Sequence, residues 1–250
     1  MKKILLSEMS WPEVKEALKT TDIVIVPIGS IEQHGPALPL KTDAYIAEKV
    51  AEMAAEKVYA IVAPTICFGF SDHHMAFPGT ISINEENLIY LIFNVCRSLS
   101  IHGFKKIVIL NAHGGNHSAI HAAMYKLKKE EKIGVYFVDI FSLVSDVVNN
   151  IFSKPIYHAD DFETSIMMAL GIEVKKENLV KEVAVTNIPE YFKIEFLSQA
   201  PTIKMPVYFE EFTKSGVIGD PTSASREKGQ RILDIILDRL IDFLEKLKHH

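Results

Sequence analysis

The carboxylate and imidazole side chains of this sequence are bunched in four short segments. The first runs Gly29-Ser30-Ile31-Glu32-Gln33-His34-Gly35-Pro36 and on to Thr42-Asp43. The second is Ser71-Asp72-His73-His74, the third Asn111-Ala112-His113-Gly114-Gly115-Asn116-His117, and the fourth His158-Ala159-Asp160-Asp161-Phe162-Glu163. Seven of the ten histidines fall in these segments or directly after them, which favours a site over scatter. Mixed oxygen and imidazole donors without soft sulfur suit Zn, Mn or Fe. Glu32 and His34 stand two residues apart, so in an extended chain both point to one side and can grip a metal together. A polar loop entering a helix would give the same letters, with Asp43 as a first-turn carboxylate, and only the convergence of four loops favours the metal. His113 follows an apolar run directly and is a further candidate ligand.

Other residues keep two readings. Gly114 and Gly115 let backbone approach a ligand, or merely ease a strand-to-helix turn with Asn116 as cap. Glu163 is a metal ligand, an anchor behind one, or a first-turn helix carboxylate. His158 has the neutral-range pKa of a proton carrier. One of His73 and His74 lines the pocket, His74 being assigned to substrate. Asp160 and Asp161 read as helix caps, Asp139 stays open, and His117 and His121 read as surface or core histidines.

These segments need a frame that brings their ends together. Residues 22–28, 60–64, 106–110 and 133–138 are apolar runs with strand character, and helical patterns separate them. Thr42 is placed to cap a helix reaching about Val58, and Ser82 through Glu85 has the spacing of a capping box opening a helix that ends at His102-Gly103. Alternating strands and helices predict a parallel sheet covered on both faces, a three-layer α/β/α sandwich in one domain over residues 1–250. In such sheets ligands bind beyond the carboxyl ends of the strands, where the four segments fall. A final amphipathic helix carries Ile232, Leu233, Ile236, Leu240 and Leu244 on one stripe, with Asp234, Asp238 and Asp242 opposite. Residues 171–221 show little periodicity and read as a loop-rich cover.

Composition narrows the partners. A net charge of −5 gives no attraction for nucleic acid or an anionic membrane. The apolar run after Met1 stops at Ser7, too soon for a signal peptide, so a cytoplasmic protein is expected. Cys67 and Cys96 sit in apolar stretches as small hydrophobes. Abundant Lys and Glu, with little Arg or Gln, is a bias of proteins from hot environments.

The four motifs, with Phe77-Pro78-Gly79-Thr80 and Gly216-Val217-Ile218-Gly219-Asp220-Pro221, resemble the creatininase family, the creatinine amidohydrolases. The resemblance implies the same sandwich, two divalent ions per subunit and a homo-oligomer, often a hexamer. It implies Glu32 and His113 on one ion, His34 on the other and Asp43 bridging both, with His158 shuttling protons beside Glu163. Three departures bear on substrate: Ala37 replaces a histidine found in many members, Gly115 replaces a glutamate ligand of creatinine-cleaving members, and the only tryptophan is Trp11. Glu163 is the expected replacement ligand, and Gly115 and Asn116 are assigned to substrate contact. The expected reaction is hydrolysis of a C–N amide bond in a small molecule. A formamide of archaeal flavin and deazaflavin synthesis comes first, ahead of a cyclic amide such as creatinine or a short peptide tail. A nucleotide-binding module is the rival from another class, but it would need a G-x-G-x-x-G after the first strand, which is missing. A non-catalytic metal scaffold is the other rival.

Overall fold

The computed structural model of the protein describes residues 3–152, 157–182 and 206–249. β1 (Ile23–Ile28) is buried at every position because neighbours flank it on both edges and helices cover both faces. It pairs in parallel with β2 (Ile61–Val62) on one side and β3 (Lys106–Asn111) on the other, and β4 (Val135–Asp139) lies beyond β3. Among the described residues the order is β2-β1-β3-β4.

Alternate residues of each strand face opposite layers. Ile23, Ile25, Val108 and Leu110 pack with α2 (Thr42–Val58), α5 (Asp161–Ala169) and α6 (Arg226–Lys248). Val24, Val26, Ile107 and Ile109 pack with α1 (Trp11–Ala17), α3 (Glu85–Ile101) and α4 (His117–Lys126). This is the three-layer sandwich that the alternation predicts. The apolar stripe of α6 is buried as expected, while Asp234, Asp238 and Asp242 are exposed.

Three local expectations are corrected. The second strand pairs over two residues only, since Pro64 has no N–H to give to a ladder. Thr42 is the first residue of α2 rather than its cap; its hydroxyl donates back to the Pro39 carbonyl at 2.7 Å. Asn84, not Ser82, caps α3 by accepting from the Asn87 N–H at 3.0 Å, because the Ser82 hydroxyl is held by Asp72 and Ser71. The described parts of the stretch 171–221 are short 3-10 turns and loops, as expected; residues 183–205 of it lie outside the described residues. Among the described residues no helix is long and apolar enough to cross a membrane.

β1 leads to β2 on one side and the chain then crosses to β3 on the other, so the β1–β3 boundary is the switch point at which such sheets bind ligands. The helix that closes this layer is held by burial alone at Ile236, which has no exposed surface. Ile236→Ala should lower unfolding free energy by about 2–5 kcal/mol in a urea titration, with a smaller loss showing that α6 packs loosely.

Candidate metal centre

The loop leaving β1 is closed by Glu32 N–H donating to the Leu40 carbonyl at 3.0 Å, which turns Glu32, His34 and the start of α2 toward one point. There Asp43, in the first turn of α2, faces two imidazoles. Its Oδ1 lies 2.9 Å from His34 Nε2, and its Oδ2 lies 3.0 Å from His113 Nδ1. The Ser30 hydroxyl donates to Oδ2 at 2.9 Å. Glu32 Oε2 lies 3.2 Å from His113 Nδ1 and accepts from the Ser71 hydroxyl at 2.8 Å, while Oε1 lies 3.3 Å from His74 Nε2. All of these side chains are buried.

The fourth segment enters from α5. Asp160 caps that helix as expected, accepting from the Phe162 and Glu163 N–H groups. Asp161, expected as a second cap, is instead the first residue of α5 and binds Lys228 of α6 and Ser223 just before it. Glu163 Oε2 accepts from the Ala159 N–H at 2.5 Å and stands 3.8 Å from His34 Nε2. Ala159 takes a left-handed φ of 51°, an uncommon conformation for a side-chain-bearing residue, next to the site. His158 is fixed by an antiparallel bridge to Ile218 of the late loop, and its Nε2 lies 2.8 Å from the Gln33 carbonyl. Phe209 roofs the cluster, its ring centroid 3.9 Å from that of His74 and 4.8 Å from that of His158.

The electrostatics follow from charges facing each other without water. Burial alone would raise Glu32, yet His113 and His74 hold its carboxyl well below the usual range. Burial opposes charge on His113 and His34 too, but Glu32 and Asp43 drive the first, and Asp43 and Glu163 the second, well above an ordinary imidazole. Burial dominates at His73, lowered to about 4, and pushes His74 and His158 down. It also raises Asp160 to about 7, with help from Glu163. Buried charges of this kind add little stability for their desolvation cost, and they cluster where chemistry is done.

The donors fit a divalent cation. On each of the two central imidazoles one nitrogen faces a backbone carbonyl: His34 Nδ1 the Glu32 oxygen at 3.1 Å, His113 Nε2 the Phe70 oxygen at 2.9 Å. The carbonyl keeps a proton on that nitrogen, so the other is the one available to a metal. Both available nitrogens point at carboxylates, where a cation would replace the proton. Donor atoms of Glu32, His34 and Asp43 lie within 4.8 Å of one another, as do those of His34, His158 and Glu163.

Not every candidate joins this cluster. His117 pairs instead with Asp139 at 2.8 Å, which accounts for both, and His121 is exposed, as expected of surface histidines. The Asn116 carboxamide donates to the Gly29 carbonyl at 3.0 Å and accepts from the Phe70 N–H at 3.0 Å. It also donates to Asn111 Oδ1 at 3.2 Å, so the carboxamide joins three loops. It occupies the cap position of α4 without the side-chain capping bond. At Gly115 a Cβ would meet the Phe70 carbonyl and stand 2.5 Å from His113 Nε2, so the backbone packs directly on this candidate ligand. Gln33, Ser30, Ser71 and Phe209 were not singled out by sequence reasoning. The first three lie inside the segments that carry the candidate ligands, which was the available signal; Phe209 had none.

Comparison with known proteins agrees with this geometry. The sequence profile of the creatininase family, described as creatinine amidohydrolase, matches residues 7–244. A 3-dehydro-scyllo-inosose hydrolase of Thermotoga maritima is 29% identical, over 98% of this chain and 82% of its own. A mycofactocin precursor peptide peptidase of Mycolicibacterium smegmatis is 30% identical, over 90% and 85% respectively. Among solved structures, a creatinine amidohydrolase superposes with a TM-score of 0.86 at 25% identity, covering 98% of both chains.

Because His34 and His113 carry protons in the metal-free chain, loading with zinc at pH 7 should release about two protons per chain, and affinity should fall as pH is lowered. Calorimetry in buffers of different ionisation enthalpy measures the release; none would mean that these nitrogens are not the ligands. Separately, Asn116→Ala should cost about 1–3 kcal/mol in denaturant titration by leaving the Gly29 and Phe70 backbone groups unpaired.

Proposed function

Since the chain belongs to the creatininase family, we propose that it is a metal-dependent amidohydrolase whose centre is built from Glu32, His34, Asp43, His113 and Glu163, with His158 as its acid–base group. The observation that carries this is Asp43, whose two oxygens face two different imidazoles at 2.9 and 3.0 Å, the disposition a bridging carboxylate needs. Glu32 and His113 would hold one ion and His34 and Glu163 a second, with Asp43 between. Divalent ions supply Lewis acidity, acidifying water and polarising the amide carbonyl.

The remaining work falls to side chains of the protein. His158 is pushed below the usual imidazole range by burial and by the neighbouring His34, so it is neutral near pH 7 and can accept a proton. Once protonated in the same surroundings it is a stronger acid than free imidazolium, suited to delivering that proton to the departing nitrogen as the C–N bond breaks. Glu163, held by the Ala159 N–H, fixes the backbone turn that carries His158. Phe209 and the buried imidazoles exclude water from the acyl side, which strengthens every charge interaction there.

The crowding at this centre supports a small acyl group. Phe209 packs at 3.9 Å on His74, and a formyl group, with hydrogen on its carbonyl carbon, demands the least room. A formamide is therefore the first substrate class to test. Similarity to a peptide peptidase over 90% of the chain favours a short peptide tail as the second. Lys41, at the end of the first loop, lies over the Tyr45 ring at 4.4 Å.

Zinc- or manganese-loaded protein should hydrolyse a formamide in preference to creatinine or a dipeptide, and chelation should abolish turnover. Elemental analysis should find about two ions per chain. His158→Ala should keep that metal content and lower kcat by roughly 10²-fold. Full turnover in His158→Ala would remove it from the reaction, and no cleavage of any of the three amide classes would reject the amidohydrolase reading.

A further inference from the structure

Gln33 lies between two residues of the metal centre and is itself buried. Its Nε2 is 2.9 Å from His74 Nδ1, 3.0 Å from His158 Nε2 and 3.0 Å from the Gly216 carbonyl. A carboxamide nitrogen has two hydrogens for these three neighbours. The Gln33 side-chain orientation is fixed, because its Oε1 accepts from the Gly35 N–H at 2.9 Å; the flipped amide would set oxygen against the Gly216 carbonyl and nitrogen against an N–H.

Proton counting then fixes the Gln33-facing nitrogen of each ring. His158 Nε2 lies 2.8 Å from the Gln33 backbone carbonyl, which can only accept, so this nitrogen carries a proton and cannot accept from the Gln33 side chain. The two Gln33 hydrogens go to His74 Nδ1 and to the Gly216 carbonyl. His74 Nδ1 is therefore bare, and the His74 proton sits on Nε2, 3.3 Å from Glu32 Oε1. With Nε2 protonated, neutral His158 presents the lone pair of Nδ1 on the side of Glu32, whose Oε1 is 3.9 Å away. The late loop is part of the same device. Gly216 has a φ of 85°, and a Cβ there would collide with the Gln33 carboxamide, so glycine is what lets the loop carbonyl reach this donor.

We propose that Gln33 is a positioning residue that sets the tautomers of two histidines. It makes His74 a donor from Nε2 that orients Glu32, and with its own backbone carbonyl it turns the bare Nδ1 of His158 toward the carboxylate cluster. The value of this for catalysis rests on the amidohydrolase reading, whereas the tautomers themselves do not.

The test is nitrogen NMR of the full-length, zinc-loaded protein with ring-15N histidine, His74 and His158 being assigned from the signals lost in His74→Gln and His158→Gln. The neutral form of each ring should hold its proton on Nε2; a neutral ring protonated on Nδ1 in the unaltered protein overturns the proposal. Gln33→Met keeps length and removes both donors. It should give His74 a population protonated at Nδ1 and lower kcat by roughly 10-fold or more, the scale of lost support behind a metal ligand, with KM changing less than about twofold. Unaltered ring signals and kcat in folded Gln33→Met also overturn it, and if that variant does not fold, the spectrum of the unaltered protein decides. Failure of every amide substrate would leave the tautomer result standing, and reversed tautomers would leave amide hydrolysis standing.

Discussion

Asp43 is a carboxylate with 1% of its surface exposed, pressed between two imidazoles at the end of a parallel sheet, and the arrangement of the surrounding loops answers to that placement. An ionised group so deep is tolerated only with partners on every lone pair. Ser30, His34 and His113 supply them from segments on either side of the β1–β3 boundary. α2 contributes by starting where it does, so that its first turn delivers the carboxylate to the positive end of the helix dipole, which favours its negative charge. The same compression that makes the centre chemically useful makes it expensive to assemble, and the two apolar layers on the faces of the sheet supply the stability to hold it.

Much of this frame was legible in the residues. β1 and β3 are unbroken apolar runs because they are buried on both faces, and such runs cannot be mistaken for amphipathic surface. Glu32, His34 and His113 could be picked out because they follow buried strands closely, and Asp43, which alone reads as a first-turn helix carboxylate, because four such segments converge. Less legible were features fixed by partners far away in the chain. Ser82 has the spacing of a capping box, but Asp72 and Ser71 claim its hydroxyl, and Asn84 takes over the helix end. Nothing beside Asn116 in the chain shows that three segments use its carboxamide as their common anchor. Phe209 gave no sign of its place over His74 and His158, since nothing local marks an aromatic residue in an aperiodic stretch as a roof.

Histidine serves three separate ends in this one small volume. His34 and His113 are driven toward the charged form by carboxylates, His73 and His74 toward the neutral form by burial, and His158 is neutral beside a charged neighbour. His73 lies parallel to His113 with ring centroids 5.9 Å apart, so the stack bears on a ring that contacts both acids. The environment, not the residue type, divides these roles, and the difference comes from which ring nitrogen meets a carbonyl, an acid or an amide.

The bridge between His158 and Ile218 also bears on how the molecule comes into being. Strands β1 and β3 and the residues around Asp43 belong to the first half of the chain, and their contacts can form as soon as that half is available. His158 and the Gly216 carbonyl reach Gln33 only when segments far along the polypeptide fold back across it, and closing such long loops is entropically slow. Competence therefore waits on the far end of the chain: the loops after β1 and β3 can meet early, but the centre is complete only when the later segments close over Gln33.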